Sequence, residues 1–289
     1  MSDLRTATQR WTVGSVTITS VVEDQIEFPP GLLFPEATTE MVQRHPWLVP
    51  DWADAAGNIS MRTQAFVVET GGLTVLVDPC VGNGKVRWLP VWNDLDLPFL
   101  ERLAEVGVTP PAVQLVVHTH LHADHVGWDT HRAGDSWVPT FTAARHLYTE
   151  AELEYARTSG MPGEDVYGDS VAPILDAGLA EIVAPDADLG HGLTLEWTPG
   201  HTPGQVSLWV ESDGETALIT GDFMHHPFQF AEPQVAEIAD ADVDVARATR
   251  ARMLAKLAES GALVLGTHFP NRPGGRVRVD GDAWRFVPE

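Results

Sequence analysis

Cysteine is nearly absent: a lone Cys80 excludes a disulfide framework and fits a reducing compartment. Basic residues are scarce too, 18 against 41 acidic ones, and the formal net charge of −23 repels polyanions. The few lysines and arginines are scattered rather than gathered into a patch. Nucleic acid and anionic membrane surfaces are therefore excluded as expected partners. No run approaches the roughly 18 apolar residues of a membrane span, and MSDLRTATQRW at the N-terminus lacks the basic-then-apolar order of a leader. A cytoplasmic protein acting on a small molecule is expected. Repeats, low-complexity tracts and linkers are also missing, so one domain over 1–289 is expected.

What is present is ordinary globular material, 44% hydrophobic and 20% charged over 289 residues, enough to bury a large core. Alternation of period two marks strands at Val13 to Val22, Gln64 to Val68 and Leu73 to Val77, with Gly71-Gly72 as a hairpin turn between the last two. Strands and helices then alternate. Helices are expected over Leu97 to Val106, Thr149 to Arg157 and Asp242 to Ser260, the last closed by Gly261. Strands are expected over Val113 to Val117, Leu193 to Trp197, Val206 to Val210, Thr216 to Ile219, Leu263 to Leu265 and Arg276 to Val279. Between Glu27 and Ser60 the pattern dissolves into a segment with five prolines and with Phe28, Phe34, Trp47 and Trp52. Its length and aromatic content suggest a lid or one wall of a binding pocket over 27–60, with Phe223 to Phe230 as another wall. Trp88 and Trp92 are candidates for the pocket mouth.

The chemistry is concentrated just after the expected strand at Val113 to Val117. His118, His120, His122, Asp124 and His125 put five metal-capable side chains into eight residues of a chain with 12 histidines in all. Imidazole and carboxylate suit zinc and related divalent ions, and His120 and His122 can point to one side of an extended segment. Three more polar residues each stand just past a strand: His201 in TPGHTPG, Asp222 in TGD and His268 in GTHF. Glycine or proline beside each permits the tight turn that aims the side chain over the sheet edge. His118 lies on the strand side of the motif and reads as a buried packing residue; Cys80 reads as a small packed residue beside the site.

The ordered set H-x-H-x-D-H followed by single His, Asp and His residues resembles the metallo-β-lactamase superfamily, from about Arg62 to His268. That resemblance implies an α/β fold, a four-layer αβ/βα sandwich, with two metals at one edge of its sheets. Carried over by motif, His120, His122 and His201 would bind one ion, Asp124, His125 and His268 the other, and Asp222 would bridge them. Asp78 resembles the family's acidic residue after an early strand, which supports ligands rather than binding metal. Two divalent ions, most simply zinc, held by five neutral imidazoles and two carboxylates would favour a metal-bridging hydroxide as nucleophile, with Asp124 relaying a proton to the leaving group.

Among the branches, the sequence is most similar to the N-acyl homoserine lactonase and methyl parathion hydrolase types. The lactonases place a tyrosine three residues after the bridging Asp, where it helps hold the substrate carbonyl. Here that place holds His225, which joins Asp124 and Asp222 as a candidate catalytic residue and weakens the case for acyl homoserine lactone itself. The implied activity is hydrolysis of a lactone or ester of a small, partly apolar molecule. A phosphotriesterase and a non-catalytic metal-bearing binding module are the alternatives, and a homodimer is possible by resemblance.

Overall fold

A computed structural model describes residues 7–289; the first six residues of the segment read above for a leader lie outside the described residues. Strands β1 (Arg10–Val13), β2 (Val16–Phe28), β3 (Ile59–Thr70), β4 (Leu73–Val77) and β5 (Leu115–Val117) follow in order. A separate hairpin, β6 (Thr130–Ala133) with β7 (Ser136–Pro139), precedes β8 (Arg145–Thr149) and β9 (Ala180–Val183), which complete a first seven-stranded sheet in the order β1-β2-β3-β4-β5-β8-β9. The second seven-stranded sheet runs in chain order through β10 (Asp188–Gly190), β11 (Leu193–Trp197), β12 (Val206–Ser212), β13 (Glu215–Ile219), β14 (Leu263–Leu265), β15 (Gly274–Asp280) and β16 (Ala283–Pro288).

The two sheets face each other over an aliphatic core. Ile18, Phe66, Val75, Val77, Leu115 and Val117 of the first meet Leu195, Leu208, Val210, Ile219 and Leu265 of the second. These are alternate positions on their strands, as burial of one face per strand requires. Each sheet's outer face is covered in turn: Phe99 and Leu103 of the helix Phe99–Glu105 pack with Leu76 and Val116, while Met253, Leu254 and Leu257 of the helix Val243–Ser260 pack with Leu218 and Val264. The result is the four-layer αβ/βα sandwich.

Local chemistry explains the boundaries. Gly71 and Gly72 both take positive φ, as a two-residue hairpin turn with the strands' twist demands. Asp242 caps the helix Val243–Ser260 by accepting from Val245 N at 3.1 Å, and Gly261 ends it in the left-handed region at φ 64°. Strands β5, β13 and β14 lie in parallel pairings, β5 with β4 and β8, and β13 with β14, so their C-terminal ends fall on common edges. Polar residues placed just past those ends converge. Among the described residues no helix is long and apolar enough to cross a membrane.

Candidate metal centre

The turn after β5 delivers His120 and His122 and runs into the short helix Ala123–Val126, which bears Asp124 and His125. The β11–β12 loop supplies His201, the turn Gly221–Phe223 after β13 supplies Asp222, and the loop after β14 supplies His268. Gly221 is required at this turn: its φ is +56°, and a Cβ there would stand 2.8 Å from the Thr119 side chain. All seven residues expected to bind metal meet at one point.

Asp222 Oδ2 is its centre. It lies 3.2 Å from His268 Nε2, 3.3 Å from His125 Nε2, 3.5 Å from His201 Nε2 and 3.7 Å from His120 Nε2. On one side the ring nitrogens of His120, His122 and His201 lie within 4.8 Å of one another; on the other, those of His125 and His268 lie within that distance of an Asp124 carboxylate oxygen. His225 Nε2 also approaches Asp222 Oδ2, at 3.2 Å, and its ring stacks parallel to His268 with centroids 5.8 Å apart.

The outward-facing nitrogens of most of these imidazoles are tied down. Asp78 Oδ2 lies 3.0 Å from His125 Nδ1, Asp240 Oδ1 is 3.0 Å from His201 Nδ1, the Arg62 carbonyl accepts from His268 Nδ1 at 2.8 Å, and Thr119 Oγ1 is 3.2 Å from His120 Nδ1. Bonds of this kind fix ring orientation and tautomer in metal-binding histidines. Asp78 adopts φ +52°, a strained conformation for a residue with a side chain, while its carboxylate accepts from Thr119 N at 2.8 Å and Thr119 Oγ1 at 2.7 Å.

A divalent ion pair fits this donor set. His201 Nε2 stands 2.9 Å from His122 Nδ1 and His268 Nε2 stands 3.3 Å from His125 Nε2, while His120 Nε2 and Asp222 Oδ1 are buried with no hydrogen-bond partner. Imidazole nitrogens crowded against one another and against one carboxylate are what a shared cation resolves. Burial, then the neighbouring His125, holds the His120 imidazole well below its ordinary pKa, which favours the unprotonated form that metal binding requires. Burial pushes Asp222 upward, yet His268, His125 and His225 outweigh it and hold the carboxyl well below the usual range.

The centre forms the floor of a cavity of about 290 Å³ walled by Leu33, Trp88, Leu89, Trp92, Met161 and Ile238. Here one expectation is corrected. Phe28, Phe34 and Trp52, with Phe223, Phe228 and Phe230, are buried in the core between the 27–60 segment and the second sheet, and Trp47 packs against that cluster. None of these aromatics lines the cavity; Leu33 is what the 27–60 segment contributes to it, and His225 what Phe223 to Phe230 contributes. The physical reason is that T-shaped stacking of Phe34 on Phe228 and of Trp52 on Phe286 buries these rings more completely than a cavity wall would. Trp88 and Trp92 do face the cavity. Sequence reasoning missed Glu164, Glu237 and Asp240, which stand in no motif and are brought in only by tertiary packing.

Comparison with known proteins agrees with this geometry. The family model of the metallo-beta-lactamase superfamily matches residues 61–266, and the chain belongs to that superfamily. Among curated relatives, the N-acyl homoserine lactonase AiiA of Bacillus thuringiensis subsp. kurstaki is 27% identical over 199 residues, covering 62% of this chain and 73% of that one. The N-acyl homoserine lactonase AttM of Azorhizobium caulinodans is 30% identical over 200 residues, covering 66% and 70%. Among solved structures, AidC, a dizinc quorum-quenching lactonase in complex with a product, superposes with a TM-score of 0.82 at 19% identity over 99% of both chains. The hydrolase AbOPH gives 0.81 at 22% identity over 98% of this chain and 97% of that one. At these identities the superpositions speak for the fold.

Proposed function

We propose that this protein is a dinuclear metal-dependent hydrolase that opens a lactone or ester of a small, partly apolar molecule. The observation that carries the reading is the convergence of seven nitrogen and oxygen ligands on the floor of an apolar cavity. Relatives that are N-acyl homoserine lactonases support the lactone class. His120, His122 and His201 would hold one ion, Asp124, His125 and His268 the other, and Asp222 both; five imidazoles with two carboxylates favour zinc. When bound, such ions polarise a carbonyl and lower the pKa of water, the chemistry that ester hydrolysis needs.

The protein's own groups do the rest. Asp124 lines the cavity and is placed to take a proton and return it to the departing alkoxide. His225 presents its ring to the same space and offers Nε2 as a donor to the substrate carbonyl, a proton now facing Asp222 at 3.2 Å. Trp88, Trp92 and Met161 take the apolar arm of the substrate. We read this machinery as carried by one domain spanning the chain, in which the 27–60 segment braces the pocket from behind.

The test is a screen of lactones of varied chain length and of aryl esters, with and without chelator, alongside metal analysis. Hydrolysis of one of these classes that vanishes on chelation and returns with zinc, at close to two equivalents bound, is the expected outcome. A firm value of one equivalent, unchanged on adding metal, would overturn the dinuclear reading.

A further inference from the structure

The turn that bears His120 and His122 and the loop that bears His201 come from different sheets: the first follows β5, and the second joins β11 to β12. Both meet the helix Glu150–Ala156, which follows β8. Glu152, on the first turn of that helix, is only 2% exposed and does not border the cavity. Its two carboxylate oxygens are divided between the two ligand segments. Oε2 accepts from Leu121 N at 3.2 Å, and Oε1 accepts from Gly204 N at 2.8 Å.

Both contacts fall where they set the direction of a ligand. Leu121 stands between His120 and His122; its side chain is buried in a small apolar cluster with Leu153 and Ile174, while the imidazoles on either side of it meet His201 at the metal centre. Gly204 closes the TPGHTPG loop, and its carbonyl accepts from Thr149 Oγ1 at 3.0 Å, so both of its backbone groups are bound to the start of the helix. No side chain fits there: a Cβ on Gly204 would stand 2.6 Å from Glu152 N and 2.6 Å from Thr149 Oγ1. His122 Nδ1 faces His201 Nε2 at 2.9 Å, and among the described residues no protein group meets His122 Nε2. The direction of that imidazole is left to the backbone that carries it. A carboxylate suits this place because both its ends accept, whereas an amide would turn a donor toward one of the two N–H groups. A buried backbone donor left unmet is costly enough to displace the segment that bears it.

Resting on the dinuclear reading above, we propose that Glu152 is a positioning residue for one ion of the pair: by bonding Leu121 N and Gly204 N to one carboxylate, it holds His120, His122 and His201 at the separation that ion needs. The ligands of the other ion are held by different means. Asp124 and His125 share a short helix, Asp78 faces His125 Nδ1, and the Arg62 carbonyl accepts from His268 Nδ1. The two halves of the centre thus have separable supports, and Glu152 belongs to one of them.

Zinc titration of the metal-free protein against a chromophoric chelator, read as two dissociation constants, tests this without recourse to turnover. The wild type should bind two equivalents. Glu152→Gln should weaken one of them about ten- to a hundredfold, as loss of a group that orients a metal ligand does, and leave the other within about threefold. Added to His122→Ala, which already damages the same half, Glu152→Gln should cost little more; added to His268→Ala, it should leave no tightly bound ion. Leu153→Ala, on the same helix and in the same apolar cluster, is the control for general loosening: a lower urea midpoint with both zinc constants unchanged. Thr149→Val removes the bond to the Gly204 carbonyl but keeps the carboxylate; it should weaken the same ion about threefold and carries the test if Glu152→Gln does not fold. Zinc constants in Glu152→Gln equal to the wild type's, or both weakened alike, would overturn the assignment, and so would a selective loss in Leu153→Ala. The two readings fail separately. Two equivalents in the wild type with unchanged constants in the variant would keep the dinuclear centre and sink Glu152; a single equivalent in the wild type, weakened in Glu152→Gln, would do the reverse.

Discussion

Two clusters of histidine and aspartate grow from the same stretch after β5, and only one of them opens onto the cavity. In the metal centre, five imidazole nitrogens lie within 3.2 to 3.7 Å of the single oxygen Asp222 Oδ2. In the second cluster, Asp129 divides its oxygens: Oδ2 lies 2.8 Å from His118 Nε2 and accepts from Tyr148 OH at 3.4 Å, while Oδ1 lies 3.1 Å from His146 Nδ1. His118 Nδ1 donates to the Leu147 carbonyl at 3.1 Å, and the His118 ring stacks on Tyr148 with centroids 4.8 Å apart. Distance alone would let His118, Asp129 and His146 hold an ion too. What separates them is access to open space and the crowding of imidazole nitrogens against one another. In the sealed cluster each imidazole has one nitrogen within 3.1 Å of an Asp129 oxygen, although His146 Nε2 is buried without a partner; in the open one imidazole nitrogens stand 2.9 Å and 3.3 Å from one another, and the cluster borders the cavity.

The largest effect that would sharpen this contrast is loss of the bridge. Asp222→Ala should lower kcat/KM by roughly a thousandfold or more and reduce metal content below two equivalents, since on the proposed reading one carboxylate would serve both ions. Asp129→Ala should do something different in kind: metal content near two equivalents, but a stability loss of about 3–5 kcal/mol in urea denaturation, from leaving two buried imidazoles without their counter-charge. If Asp129→Ala emptied a metal site, or Asp222→Ala left both filled, the two clusters would have been told apart wrongly.

How much of this was legible beforehand follows from the range of each signal. Strands with local alternation, such as β3 and β4 around Gly71-Gly72, and the long helix closed by Gly261 were readable because their causes lie within a few residues. The candidate ligands were readable for the same reason: His120, His122, Asp124 and His125 form one dense motif just past β5, and His201, Asp222 and His268 each stand just past a strand with a glycine or proline alongside. Strands β8 and β9 and the β6–β7 hairpin were missed, being short and lacking a clean period. The aromatic wall was misplaced because sequence reveals that Phe34 and Trp52 must be covered, not by what; the covering turned out to be Phe228 and Phe286. Asp240 and Glu237 follow no spacing rule. They reach His201 only because the segment before the helix Val243–Ser260 folds back over the β11–β12 loop, where Asp242 N donates to the Gly200 carbonyl at 2.9 Å.

A smaller effect tests the cavity side. Trp88 is exposed at the mouth beside Leu89 and Trp92, so Trp88→Ala removes apolar contact with a ligand and little core packing. KM for lactones or esters with long apolar tails should rise about five- to tenfold, with kcat and metal content nearly unchanged, because the lost interaction is made equally in ground and transition states. A fall in kcat with KM constant would place Trp88 in the chemistry instead.

The smallest effect belongs to the sealed cluster and is read as a pH dependence. Burial raises the Asp129 carboxyl, but His118 and His146 pull it down further, to about 2 against an ordinary 3.8. A carboxyl whose pKa is lower folded than unfolded contributes stability that is fully present above the unfolded value and is lost as pH falls toward the folded one. At 1.36 kcal/mol per unit the whole contribution is about 2 kcal/mol, of which about 1 kcal/mol is gone by pH 3. Asp129→Asn removes the titration while keeping the shape. Urea denaturation of wild type and variant, both with chelator present so that metal loss cancels, should therefore show a stability gap at pH 5 that narrows by about 1 kcal/mol at pH 3. A constant gap across that window would mean that Asp129 is not the carboxylate of an ionic cluster, and that the two clusters differ less than their geometry implies.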